Sequence, residues 1–280
     1  MGKDGGMKAE RRELFHWRTS ISYKTVDKVV VRGYDLSELA RHIDFGEHCY
    51  LLWRGQLPTS NEGKMMNALF VWNAEHAFSP STVAARMVAA GRAPLPTCVA
   101  AGIAAFGEAH EPVYHCARLL QDYVRRGEME KKGLGEMAEA WVKENAIVFG
   151  LHHPQHISGD PRALHVLKLA EELGLARQHC HLLKALEDAY EKRRGRRLRI
   201  NEAGATAAVL SDMGFTPSAA WAAMFVARAA GCAAHAMEEM EREALGRADI
   251  AAPTMSLLDL PLQSPEYYDG PPDRHLPQNR

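Results

Sequence analysis

The sequence predicts a mostly α-helical protein, and three observations carry that prediction. A capping side chain directly precedes proline at Ser79-Pro80, Asp160-Pro161 and Thr216-Pro217, and a proline in the first helical position loses no intrahelical bond. The runs between such marks are rich in Ala, Leu, Met and Glu. Period-2 alternation is almost confined to residues 25–32, so strand content should be small and N-terminal. In chain order, Asp44-x-x-Glu47 resembles a capping box opening a segment with Cys49, Leu51, Leu52 and Trp53, which Gly55 and Pro58 close. Gly91 and Gly174 occupy positions suited to the residue just past a helix end. Residues 97–106 and 219–236 are rich in Ala and Gly, so helices there can approach closely in a bundle or at a subunit interface. From Ala251 onward, repeated prolines rule out a long regular helix and predict an extended tail able to wrap a partner subunit.

At 280 residues the chain is one large domain or two, burying about three-quarters of its unfolded surface. Lys plus Arg number 34 against 35 Asp plus Glu, and the net charge of −1 gives no reason to expect nucleic acid or an anionic membrane as partner. Any anion site must be local. The five cysteines are widely spaced without a CxxC pair, which supports neither a disulfide framework nor a cysteine zinc site and favours a reducing compartment. The first residues lack the apolar stretch of a secretory signal, and the apolar run at 219–227 stops at Arg228, short of the roughly 18 residues a spanning helix needs. The expected location is the cytoplasm.

Two clusters could carry chemistry. His152, His153 and His156 sit in a Gly/Pro loop just before the helix start at Asp160-Pro161; no acidic or Cys partner lies nearby in sequence, so no metal is expected, and free N–H groups at the helix start suit an anion or carbonyl substrate. The run Lys192-Arg193-Arg194-Gly195-Arg196-Arg197-Leu198-Arg199 suits a phosphate-bearing ligand, or else a solvated helix end with cations near its C-terminus. It lacks the aromatic residues that base stacking would require. Arg228 lies inside an otherwise apolar helix, and a buried arginine there needs an anion.

Longer phrases are more specific. Gly33-Tyr34-Asp35-Leu36-Ser37-Glu38-Leu39-Ala40 is followed by Tyr50-Leu51-Leu52-Trp53-Arg54-Gly55-Gln56-Leu57-Pro58-Thr59. Next come Glu75-His76 with Ser81-Thr82-Val83-Ala84-Ala85-Arg86, Gly107-Glu108-Ala109-His110, Gly150-Leu151-His152-His153 with Asp160-Pro161-Arg162, Asn201, Val226-Ala227-Arg228-Ala229-Ala230-Gly231 with His235, and Tyr268-Asp269-Gly270-Pro271. Taken in this order, they resemble the motifs of the citrate synthase family, which includes citryl-CoA lyases and the C-terminal part of ATP-citrate lyase. The resemblance implies an all-α homodimer with a large domain (33–110 and 204–250), an inserted smaller mobile domain (111–203), an N-terminal segment (1–32) and a Pro-rich tail (251–280). It implies chemistry that makes or breaks a carbon–carbon bond between an acyl-CoA and a 2-oxo acid such as oxaloacetate, with no tightly bound cofactor and CoA thioester as substrate. By position, His110 matches the donor to the thioester oxygen, and His153 the group that protonates the alkoxide or, in reverse, deprotonates the hydroxyl. His76, Arg162 and Arg228 match the carboxylate shell, and Arg196 a CoA-phosphate contact.

The departures bear on function. The family's proton-abstracting Asp is replaced by Ala203, and neighbouring Glu202 can substitute if the chain bulges locally, which Gly204 would ease; Glu108 and Glu111 beside His110 are alternatives. Pro154 and Ala252 stand where the family carries arginines, so one carboxylate clamp is lost, and Glu111-Pro112 replaces two glycines. The expected function is that of a citrate synthase-like enzyme with an altered site, nearer to citryl-CoA lyase because the chain is short. The alternative is a catalytically impaired homologue that binds CoA or carboxylates and regulates.

Overall fold

The computed structural model describes residues 18–153, 156 and 158–242; the expected proline-rich tail, Pro154 and Ala252 lie outside these. The chain divides into two compact units, Met1–Asn67 and Ala68–Arg280.

In the first unit, β1 (Ser22–Lys24), β2 (Val29–Val31) and β3 (Tyr34–Asp35) form an antiparallel sheet in that order, where the alternation placed the strand content. The β2–β3 turn needs left-handed backbone at both central residues, and Arg32 (φ 51°) and Gly33 (φ 92°) supply it. Asp35 caps α1 (Leu36–His42) by accepting the Ser37 and Glu38 N–H groups. The expected capping box is present: α2 (Phe45–Arg54) starts at Asp44 with Glu47 reaching back, and it stops at Gly55 in the left-handed region. Val31, Leu39 and Leu51 form this unit's buried cluster. α3 (Ser60–Ala74) follows and runs from this unit into the second.

The second unit is helical. It holds α4 (Pro80–Ala90), α5 (Leu95–Ala104), α6 (Val113–Glu130), α7 (Leu134–Glu144), α8 (Pro161–Glu172), α9 (Gln178–Arg194), α10 (Glu202–Asp212) and α11 (Pro217–Glu241). Each Ser/Asp/Thr-Pro mark opens a helix, with Asp160 and Thr216 accepting first-turn N–H groups. Gly174 takes the left-handed conformation past α8, whereas after α4 Gly91 (φ −76°) does not and Arg92 (φ 61°) does.

The two small-residue stretches meet each other. α5 packs on α4 and α11, and a Cβ on Gly102 would lie 2.7 Å from Cys232 Sγ, so only glycine permits this approach. Ala85, Ala89, Cys98, Cys232 and Ala236 form the resulting core. α10 is buried along almost its whole length against α6, α8 and α9, which fixes its first residues deep in the unit. No helix among the described residues is long and apolar enough to cross a membrane.

Candidate active site

A cavity of about 450 Å3 in the second unit brings together most of the residues singled out from the sequence, His76, His110, His153, Arg162 and Glu202 among them. Each arrives at the end of an element. His76 follows α3, His110 and Glu111 precede α6, His153 follows Gly150, Arg162 lies in the first turn of α8, and Glu202 is the first residue of α10. Glu111 (φ 56°) and His152 (φ 70°), both on the wall, hold left-handed backbone that non-glycine residues rarely adopt, a strain typical of functional sites.

Glu202 reaches the cavity without the expected bulge. α10 is regular from Glu202 onward, and Gly204 serves another purpose: a Cβ there would lie 2.5 Å from the Gly150 carbonyl oxygen. The helix start itself aims Glu202 inward. Asn201 caps it, accepting the Gly204 N–H at 2.9 Å and donating its amide to the His152 carbonyl at 2.7 Å. Asp160 accepts the Glu202 N–H at 3.1 Å. The Glu202 side chain is 1% exposed, Thr206 one turn on donates its hydroxyl to Oε1, and Oε2 has no hydrogen-bond partner. Burial, reinforced by the negative charge of Glu111, pushes the Glu202 carboxyl up to about 7, while Arg162, Thr206 and the Asn73 side chain pull the other way. Ala203 lines the cavity beside it and can exchange no proton.

His76, His110 and His153 favour the neutral form. Burial first, then the charge of Arg162, push His76 down to about 4. Burial likewise lowers His110, with Arg228 adding to it and Glu111 opposing. His153 is lowered by burial, which His156 and Arg162 reinforce and Asp160 opposes. His110 Nε2 is buried without a partner. His153 Nδ1 lies 3.1 Å from the backbone nitrogen of His156 and accepts its N–H, so the neutral ring carries its proton on Nε2. His76, His153 and His156 each bring one possible ligand atom within 4.8 Å of the others, a spacing that could gather around a metal ion although the sequence spacing suggested none. The bond to His153 Nδ1 competes with such coordination.

The two predicted carboxylate-binding arginines differ. Arg162 donates Nε and Nη2 to Asp160 at 3.1 and 2.9 Å, and its Nη1 is buried with no partner. Burial pushes the Asp160 carboxyl up, but its bonds from Arg162 outweigh this and hold it below its ordinary value. Arg228 is fully buried. It donates to the Asn73 carbonyl at 2.8 Å, to the hydroxyls of Ser79 and Ser81 at 3.5 and 3.4 Å, and to Glu111 Oε1 at 3.1 Å. It supports the cavity wall from behind, and its anion belongs to the chain.

Arg196 lies elsewhere, off this wall, donating to the Tyr190 hydroxyl at 3.3 Å just past α9. The surrounding basic run is a helix end: Arg197 pairs with Glu191 at 2.8 Å and Asp188 at 3.2 Å, and Lys192 with Glu139 at 2.6 Å. A groove of about 570 Å3 beside it, bordered by Lys132, Lys143, Lys192 and Arg193 as well as Glu136 and Glu139, mixes both signs of charge.

Sequence reading missed Asp160 as the junction of α8 and α10, since Asp-Pro reads only as a cap. Thr206, four residues after Glu202, was legible as a same-face partner on a helix.

The comparisons with known proteins bear on the family and the fold. No curated protein matches the chain in sequence. Citryl-CoA lyase from Hydrogenobacter thermophilus superposes with a TM-score of 0.79 at 29% identity, over 94% of this chain and 98% of that one. ATP citrate lyase from Methanosaeta concilii, solved with (3S)-citryl-CoA, gives 0.69 at 14% identity over 83% of this chain and 41% of that one. Citrate synthase from Thermoplasma acidophilum, solved with carboxymethyl coenzyme A and oxaloacetate, gives 0.64 at 21% identity over 84% and 59%. These last two show a shared fold. Residues 59–249, more than half of the chain, match the model described as citrate synthase, C-terminal domain, and the protein is a member of the citrate synthase family.

Proposed function

We propose that the protein is an enzyme that forms or cleaves the carbon–carbon bond between an acyl-CoA and a 2-oxo acid, nearer to citryl-CoA lyase than to citrate synthase. One observation carries this reading: three buried, unpartnered polar atoms, His110 Nε2, Arg162 Nη1 and Glu202 Oε2, belong to residues that border a single cavity. Buried polar atoms normally find partners, and a ligand would supply them here.

The roles follow from chemistry. Glu202, held near neutrality, takes a proton from the carbon next to the thioester, while His110 stabilises the thioester oxygen as the enolate forms. That carbon attacks the oxo carbon, and His153 Nε2–H protonates the resulting alkoxide. In reverse, His153 takes the hydroxyl proton, the bond breaks, and Glu202 returns a proton to the enolate. Arg162 Nη1 and His76 orient the oxo acid. Arg196 is proposed as a CoA-phosphate contact, and residues 111–203 as a small domain that moves in a homodimer. The alternative is a catalytically impaired homologue that binds CoA or carboxylates and regulates; the Glu202 carboxylate on the cavity wall, next to Ala203, supports the catalytic reading.

The test is exchange of the acetyl-CoA methyl protons in deuterated water, followed by NMR. Wild type should exchange and Glu202→Gln should not. Binding of CoA thioester without exchange in wild type would overturn the catalytic reading in favour of a regulatory one.

A further inference from the structure

From the ion pairs behind the cavity we infer that its oxo-acid subsite takes a 2-oxo monocarboxylate and discriminates against a 2-oxo dicarboxylate, a substrate class that rests on the reaction proposed above. Two arginines border or back this wall, and the chain already supplies a carboxylate to each. Asp160 holds Arg162 through two bonds, and Glu111 holds Arg228 at 3.1 Å. Both pairs are shielded from water: the side chains are 15% and 0% exposed for Arg162 and Asp160, and 0% and 10% for Arg228 and Glu111. Such pairs do not open readily, since separating them leaves a buried charge without compensation.

Among the described residues, one cationic donor bordering the cavity therefore remains for a ligand, Arg162 Nη1. A single carboxylate satisfies this donor. The second carboxylate of a dianion would meet Glu111 where a free guanidinium would be needed, and like charges in a water-poor site repel strongly. Glu111 thus stands in for the missing half of the substrate. Its backbone makes the same point: at φ 56° a glycine would sit without strain, yet a glutamate is held there by Arg228.

The experiment uses the full-length protein, with pyruvate and glyoxylate as monocarboxylates and oxaloacetate as dicarboxylate, each titrated calorimetrically in the presence of CoA, with acetyl-CoA methyl exchange measured in parallel. Wild type should bind a monocarboxylate at least 10-fold more tightly than oxaloacetate. Glu111→Gln and Glu111→Gly both free Arg228, and the second also relieves the left-handed backbone; either should reverse the preference. Oxaloacetate bound as tightly as the monocarboxylates by wild type would overturn the inference. So would exchange without any monocarboxylate binding, which leaves the proposed reaction standing. Monocarboxylate selectivity without exchange would instead uphold the subsite and remove the reaction. Should both variants fail to fold, the wild-type preference alone decides.

Discussion

Asp160 Oδ2 accepts the backbone N–H of Glu202 at 3.1 Å and the Nη2 of Arg162 at 2.9 Å, so one buried carboxylate joins the start of α10 to that of α8. The proposed base and the proposed anion-binding arginine are thereby set relative to each other before any ligand arrives. Replacing Asp160 by Asn removes the carboxylate that the Arg162 fork holds and leaves the buried guanidinium to the more distant Glu202 and Glu111, a change that costs about 3 kcal/mol for pairs of this kind. Asp160→Asn should lower stability in urea unfolding by that order and raise KM for the oxo acid. Unchanged stability would mean that water already compensates Arg162.

Glu202 and His76 make opposite contributions to stability as pH changes. Glu202 titrates near 4.5 when unfolded and about 7 in the fold, so between these values the native state holds more protons and stability falls as pH rises. His76, near 6.5 unfolded and about 4 folded, binds fewer protons in the native state, so stability falls as pH drops through that window. Glutamine mimics the protonated acid. Glu202→Gln should therefore be more stable than wild type at pH 8, lose its share of the decline between pH 5 and 7, and lose methyl-proton exchange by about 10²-fold or more. Thermal melts across pH and the exchange assay check the two halves separately.

The helix starts were legible because capping is local: a Ser, Asp or Thr before proline is decided by chemistry within one turn, and α4, α8 and α11 begin at those marks. Gly91 shows the limit of such rules, since the left-handed residue is Arg92 instead. The pairing of Glu111 with Arg228 crosses 117 positions, and sequence showed only that a buried arginine would need an anion. The role of Gly204 was misread for a similar reason. Its need for a bare Cα comes from Gly150, a contact made only in three dimensions.

His110→Ala and His153→Ala should each lower kcat about 10²-fold or more with the fold intact, as expected for losing an oxyanion donor or a general acid. Both rings sit at loop positions on the cavity wall, which explains why little else should change. Circular dichroism and steady-state kinetics together distinguish this from misfolding. Unchanged kcat in either variant would remove that residue from the mechanism.

Arginine-to-lysine changes should separate the two arginines. Arg162→Lys loses the unpartnered Nη1 proposed to bind the oxo acid and should raise KM with modest loss of stability. Arg228→Lys loses a fork that serves Asn73, Ser79, Ser81 and Glu111 at once, and should chiefly lower Tm, by several degrees. A large KM effect from Arg228→Lys with unchanged Tm would indicate that Arg228 meets substrate directly.

Gly204→Ala tests whether the close approach of α10 to Gly150 positions the catalytic groups. The added Cβ would lie 2.5 Å from the Gly150 oxygen and 2.6 Å from its Cα, both backbone atoms that cannot rotate away. Asn201 N–H donates to the same carbonyl at 3.0 Å, so moving the helix also strains its first turn. Overpacking of this kind costs roughly 1–3 kcal/mol. Because Gly150 lies in the same loop as His153 and Gly204 in the same helical turn as Glu202, the displacement should separate the proposed base from the proposed acid, and kcat should fall more than KM rises. Gly135→Ala in α7, where a Cβ meets nothing within 4 Å, is the matched control and should be neutral or slightly stabilising. Equal kinetics for the two variants would show that α10 can shift without disturbing the site.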